Sequence, residues 1–587
     1  MLRRAGVALA AAIAVTTVAS TASAAQKPSG PTVGGEVKVA IFDTFPGFCI
    51  GNNPANSSLM ATRTMYETLF EKTVGGDYIG LLAKSNPAAS ADLKTWTVQL
   101  KQGITFHDGQ AFNADAVITN LNAATGRTYI GSGASASKAY TLGTAVAFLA
   151  NIKSYTKVDD YTITFVLDRA QNDFPGSLYA SGRLIIRSPL QIADATSCAN
   201  KPSGTGAFKL VSWDTNNLVV EKNTNYWRTD PNTGAKLPYL DKISFTNVKE
   251  GSQRAAALKK GTYDAGEFAG GTDATFIKNL RLKKSTLNEY KSPVEYYPSL
   301  WLNQGKPGSP FANKNARLAV LSCLDRANFV KVRTKNESVV AKSLVGPKNP
   351  MYSTRGFQKF DVTAAKAYVA AYKTDTGKTS LDFNIPADVS SASQASIKFL
   401  IDQWKQCDIN ATMVVEERAI IIAKAFNAAP KVANGEYYNA YDAITILLYE
   451  GTDVTFNLPF TVTNMFPSTA TCATGSGTTA STVSIAPYLR SSLGTVLSLN
   501  HHSDACVDGY FYAGEAAQTK VGAAAQYAAG TAYLQSNGFM GSISHGYYTM
   551  FTSKKLAGIG KLQIEKGKTQ RVVTNWGFDW TGIYKTK

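Results

Sequence analysis

The sequence predicts an α/β protein of several domains. Three observations point there. The chain has 587 residues, of which 44% are hydrophobic and 17% charged, an ordinary globular composition. At roughly 150 residues per domain, that length allows up to about four. Strand-like alternation and helix-like spacing succeed one another along the chain, as α/β layers require.

The first 25 residues stand apart. "MLRR" is a positive start, "AGVALAAAIAVTTVAS" an apolar and small-residue core, and Ala22-Ser23-Ala24 a cleavage-type site. This pattern is that of a secretory signal peptide (1–25), excluded from the fold. The first cysteine after it is Cys49, so no lipid-attachment box is visible. No later apolar run reaches the ~18 residues of a membrane helix. The mature chain is expected to be exported and not inserted in a membrane.

The strand-to-helix unit at residues 91–121, "ADLKTWTVQLKQGITFHDGQAFNADAVITNL", shows how local elements are read. Trp96, Val98 and Leu100 alternate on one face of a strand. Gly103 breaks it, and Asp108-Gly109 turns the chain. Asn113 is placed to cap a helix with Asp115 in its first turn and Val117, Ile118 and Leu121 on its buried stripe. His107 and Asp108 are adjacent in an extended segment, so their side chains point to opposite faces. They shape a turn and are poorly placed for a proton relay.

Enzyme signatures are missing. The sequence has no Walker A string, no HExxH and no G-x-S-x-G elbow. "GSGAS" (131–135) lacks a strand-turn-helix context and reads as a loop, as does the Ser/Thr/Gly-rich run at 475–484. No catalytic residue and no cofactor are expected. His107, His501, His502 and His545 lack metal-site spacing. The pair His501-His502 supplies at most part of a coordination sphere and reads as a polar loop before Cys506, so no metal site is expected. The net charge of +18, or +16 without Arg3 and Arg4, is dispersed. It carries no nucleic-acid motif and fits a soluble or envelope-adhering surface.

Six cysteines, Cys49, Cys198, Cys323, Cys407, Cys472 and Cys506, in an exported chain point to disulfides; six allow 15 pairings.

The segment 91–121 also closely resembles the signature of the extracellular solute-binding proteins of ABC importers, family 5, which includes dipeptide-, oligopeptide- and nickel-binding proteins. The resemblance continues in "GGEVKVAIFDTFPGF" (34–48), "GTGAFKLVSWDTNNLVVEKNTNYW" (204–227), "PFANKNARLAVLSCLDRANFV" (310–330) and "WKQCDINATMVVEE" (404–417). Cys323 stands where many relatives carry alanine or isoleucine, and Asp408 where glycine is usual.

The resemblance implies a bilobed, periplasmic-binding-protein-like fold (type II, cluster C-like) with an extra inserted domain. It maps a hinge-proximal lobe to 34–76, 204–297 and 545–587, a small inserted domain to 77–203, and a second lobe to 298–544. It implies an extracytoplasmic binder, expected to be a monomer, that captures a small solute between its lobes and delivers it to the membrane permease of an ABC importer. A peptide is favoured. An oligosaccharide, a nickel chelate, and a released scavenger or sensor are the other readings; a cell-envelope hydrolase lacks its nucleophile.

In peptide-binding relatives an aspartate after a strand ending in an aromatic pairs with the ligand's amino terminus. That strand here is "YDAITILLYEGTDVTFNLPF" (441–460), which makes Tyr449, Glu450 and Asp453 candidates. The usual Asp-Pro-x-Asn run is replaced. Phe45 in the first loop, and Tyr297 and Trp301 in "EYYPSLWLNQ", are the stacking candidates. The resemblance also implies a local Cys472–Cys506 disulfide, leaving Cys49–Cys198 and Cys323–Cys407.

Overall fold

The computed structural model describes residues 31–49, 56–73, 75–125, 144–194, 196–292, 295–426, 441–448, 454–462, 498–502, 504–569 and 577–586. Its largest sheet has seven strands, in spatial order Leu287–Lys291, Tyr548–Ser553, Ala265–Ala269, Glu36–Ile41, Lys242–Asn247, Asn217–Lys222 and Phe208–Trp213. Glu36–Ile41 runs parallel to both of its neighbours, with Val39 opposite Phe245 and Ala265. Val37, Val39, Ile41, Phe245 and Trp580 are buried on it.

A four-stranded antiparallel sheet, in the order Ala88–Ala89, Thr95–Gln99, Thr162–Leu167, Ile152–Asp159, packs against the helix Ala114–Thr125. The expected unit at 91–121 is present. Trp96, Val98 and Leu100 are buried, Gly109 has φ +88°, and Asn113 Oδ1 accepts from Ala116 N at 3.0 Å.

A third sheet places Tyr297–Leu302 between Ala443–Leu448 and Met540–Ser542. Beside it, Leu381–Asp388 pairs in parallel with Ile409–Glu416. Two motifs of the sequence turn out to be frame here. Arg317 and Arg326 are buried and donate to main-chain carbonyls: Arg317 to Phe311, Ala312 and Asn537, Arg326 to Ser542 and Gln358. Asp408 has φ +60°, the left-handed conformation that makes glycine usual at this position.

Cys49 is bonded to Cys198 and Cys323 to Cys407, with Cα separations of 5.0 and 6.3 Å. Cys506 is disulfide-bonded, and Cys472 lies outside the described residues. So do the signal-like segment and the loops at 131–135 and 475–484. Among the described residues no helix is long and apolar enough to cross a membrane.

Candidate functional site: the seam between the sheets

Two of the quoted motifs, 91–121 and 204–227, meet at one junction away from the third sheet. His107 N donates to Gly204 O at 2.9 Å, and its Nε2 lies 3.0 Å from Gly206 O, which also accepts from Asn223 at 3.1 Å. A Cβ on Gly204 or Gly206 would stand 2.2 to 2.4 Å from the Met65 backbone, so the chain approaches there only as glycine. Beside them, buried Glu67 accepts from Thr205 (2.8 Å), Tyr226 (2.7 Å) and Trp227 (2.8 Å). Burial pushes the Glu67 carboxyl up, opposed by Arg228 and these bonds.

His107 is held near a pKa of about 4 by desolvation, so its ring is neutral at pH 7. The Asp108 carboxylate accepts from Gln110 N instead of meeting the ring. The adjoining cavity, lined by Arg63, Glu67, Arg228 and Asp579, measures about 10 Å³, room for one water and not for a solute. The junction is therefore scaffold.

Two short connections join the seven-stranded sheet to the third sheet. One runs from Lys291 to Tyr297, the other from Ser542 to Tyr548. They pair with each other: Tyr296 and Gly546 exchange backbone hydrogen bonds of 2.9 Å. The Tyr296 ring covers Gly546 so closely that a Cβ there would lie 2.3 Å from it. Tyr547 donates to Glu295 at 2.8 Å.

Away from these connections, the four-stranded unit meets the third sheet's helices along a seam. Asn172 N donates to Glu515 O at 2.8 Å, and its Nδ2 to Gly514 O and Ala517 O at 3.0 Å each. These are C-terminal carbonyls of the helix Ala505–Ala516, which lack partners within the helix. The Arg169 guanidinium lies 4.0 Å from the centre of the Tyr512 ring, and Thr455 donates to Asp173 at 3.2 Å. Phe148 stacks on Phe456 at 5.4 Å, and Trp301 approaches Phe460 at 6.4 Å. One apolar cluster contains all four rings. Glu515 is buried here, and desolvation raises its pKa to about 7.

The seam contains polar atoms that nothing satisfies. The Trp301 indole N–H is fully buried and has no hydrogen-bond partner among the described residues. Asn457, in the helix Val454–Thr461, is also fully buried, and neither its Oδ1 nor its Nδ2 has a partner there. Such groups cost roughly 1–3 kcal/mol each when left empty, so native proteins satisfy them with water or ligand.

The residues singled out in the sequence fall in different parts of the molecule. Trp301 lies in the seam. Tyr297, at the end of one connection, is buried against His545 of the other, with ring centres 4.9 Å apart. Phe45 packs in the core of the seven-stranded sheet, and its neighbour Phe42 instead lies between Arg254 and Arg418, each 5.5 Å from the ring centre. Tyr449, Glu450 and Asp453 are outside the described residues, between the ends of Ala443–Leu448 and Val454–Thr461. His501 and His502 are buried, with His502 bonded to Asn500 at 2.9 Å and stacked on Phe539. Among the described residues no cluster of metal-ligating side chains occurs. Sequence reasoning missed Asn457 and Asn172, whose only signal was polarity inside otherwise apolar or helix-flanking stretches.

Two sheets joined by two short connections, with a buried and partly unsatisfied seam, define the class of a two-lobed binding protein. The model of the bacterial extracellular solute-binding proteins, family 5, matches residues 77–464, and the chain belongs to that family. The glutathione-binding protein GsiB of Pectobacterium atrosepticum is 29% identical over 318 residues, 54% of this chain and 57% of that one. The chain thus matches little more than half the length of that relative. The DppA protein of Helicobacter pylori, solved with the peptide STSA, superimposes with a TM-score of 0.73 at 19% identity, over 95% of this chain and 99% of that one. The oligopeptide-binding AppA of Bacillus subtilis, solved with a nonapeptide, gives 0.71 at 17% identity, over 95% and 100%. The fold is that of a type II periplasmic binding protein.

Proposed function

We propose that this chain is the extracytoplasmic solute-binding component of an ABC importer, which captures a small solute of peptide type between two lobes and presents it to a membrane permease. In this reading residues 1–25 direct export. The hinge-proximal lobe is 34–76, 204–297 and 545–587, the inserted domain 77–203, and the second lobe 298–544. Trp301, together with Tyr449, Glu450 and Asp453, faces the solute. The junction around His107 does no chemistry, in keeping with a family that binds and does not catalyse.

The observation that carries the reading is the seam itself. A closed interface buries the Trp301 N–H and the Asn457 amide, which have no partners among the described residues, at the meeting of two bodies that the paired connections at Tyr296 and Gly546 join. A hinge of that kind permits rigid-body opening, and a solute that supplies the missing partners stabilises the closed form by its differential affinity.

Native mass spectrometry of the purified protein, with glutathione and short peptides as first probes, tests the solute. Small-angle scattering with the bound solute tests closure. Unchanged scattering on adding a verified tight solute would overturn the capture mechanism.

A further inference from the structure

The helix Val454–Thr461, which carries Asn457, packs across the seam on Thr144–Leu149, Phe174–Tyr179 and Ala180–Gly182, and Tyr297–Leu302 carries Trp301. Their own sequences, VTFNLPFT and YPSLWL, contain no charged residue, while the Arg183 guanidinium lies 5.6 Å from the centre of the Phe456 ring and Asp173 accepts from Thr455. Phe456, Phe460 and Trp301 supply an apolar wall. Asn457 lies three residues before Phe460, so the two share one side of the helix, the side that Phe460 turns to Trp301.

A carboxamide is both donor and acceptor on neighbouring atoms. Its complement is a carbonyl facing Nδ2 and an N–H facing Oδ1 on one edge of the solute, the pair that one extended residue presents with its own N–H and C=O, since those of a single trans peptide bond point to opposite sides. A carboxylate would satisfy Nδ2 and leave Oδ1 buried and empty.

We propose that Asn457 is a specificity-determining residue that reads the N–H and C=O of one residue of the captured solute in this two-point manner, while the Trp301 indole N–H donates to a further carbonyl or carboxylate oxygen. The segment recognised is peptide-like, with an apolar side chain packed on Phe460. This inference rests on the capture reading above and goes beyond it by naming the residue that selects amides.

The test is calorimetry with the full mature protein and the tripeptide Ala-Leu-Ala, beside two analogues in which one or the other amide N–H is replaced by an ester oxygen. The wild-type protein is expected to bind one of the two analogues about tenfold or more weakly than the tripeptide, the scale of a lost hydrogen bond facing a buried acceptor. Asn457→Leu is expected to bind the tripeptide at least tenfold more weakly and to lose that discrimination, with a solute-free Tm equal to or above that of the wild type, because an unsatisfied amide has been removed. A lowered Tm with unchanged affinity and unchanged discrimination assigns the amide to a buried water only and overturns the proposal. If Asn457→Leu does not fold, the isosteric Asn457→Asp decides: unchanged tripeptide affinity overturns the proposal, and a loss of tenfold or more supports it. Failure of the wild type to bind either the tripeptide or glutathione overturns the peptide reading and this inference with it, whereas tight wild-type binding unaffected by either variant overturns this inference alone.

Discussion

Replacing His107 by serine separates a structural histidine from a catalytic one, and the structure sets the size of the effect. The ring gives one hydrogen bond to Gly206 O, which keeps its second bond from Asn223. Losing a bond of that kind, together with part of the packing of a mostly enclosed ring, costs about 1–2 kcal/mol near pH 7.5. The pH dependence is the sharper signature. Desolvation lowers the folded-state pKa to about 4 from 6.5. The unfolded chain therefore binds the proton first as pH falls. Stability from this site is fully present above pH 6.5 and is lost progressively down to about pH 4, by about 2–3 kcal/mol in all. Serine has no such term. The wild type should be the more stable protein at pH 7.5, and the gap should close or reverse near pH 4. Urea midpoints from pH 4 to 8 measure it, with solute affinity at pH 7.5 expected to stay within about threefold. A gap independent of pH, or a loss of binding without loss of stability, would refute the assignment of a neutral scaffold histidine.

The seam and the connections give further expectations. Asn172→Ala removes two hydrogen bonds to helix-terminal carbonyls and should weaken solute binding by about 5- to 100-fold without contacting solute, read by calorimetry. Glu515 has a folded pKa raised to about 7 by burial, with Asp173 adding to the rise and Arg169 opposing it. Its stabilising contribution is complete below about pH 4.5 and is lost as pH rises through 7, so Glu515→Gln should flatten the decline of Tm between about pH 4.5 and 7. Gly546→Ala should lower Tm by several degrees, because the new methyl group meets the Tyr296 ring, and Tyr296→Ala in the same chain should restore part of the loss. Replacing Cys323 and Cys407 together by alanine opens a loop of 84 residues and should cost about 4–5 kcal/mol in the chain-entropy model, seen as a lower urea midpoint.

What was legible in the sequence is what neighbouring residues decide. The alternation of Trp96, Val98 and Leu100, the turn at Asp108-Gly109 and the cap at Asn113 are set within a few residues of each other, and they are formed. The left-handed backbone of Asp408 likewise follows from standing where glycine is usual. The partners of those residues were not legible. His107 meets Gly206, 99 positions away, and the strand Tyr297–Leu302 lies between two strands separated from it by well over 100 residues. Asn457 sits in an apolar run where an asparagine gives no local sign of burial. Phe42 and Phe45 are equivalent candidates in sequence, three residues apart on one loop. Only the tertiary packing sends Phe45 inward and leaves Phe42 between two guanidinium groups.

The division between motif and site has a physical cause. The motifs that carry the resemblance, Gly204 to Phe208, Asn223 to Trp227, Phe106 to Gly109, Arg317 and Arg326, satisfy buried main-chain groups or permit close backbone approach. Those tasks are the same whatever solute is bound, and each admits few residue types. In the proposed reading the seam has the opposite constraint, because the atoms left unsatisfied among the described residues would match one solute chemistry. The run "DVTFNLPF" contributes Asn457, Phe456 and Phe460 to the seam. A change in that run would alter what the cleft selects while leaving the frame that closes it intact. Solute selection should therefore be transferable: exchanging residues 454–461 for those of a relative with a different solute should alter specificity, while the Tm of the solute-free protein stays within a few degrees.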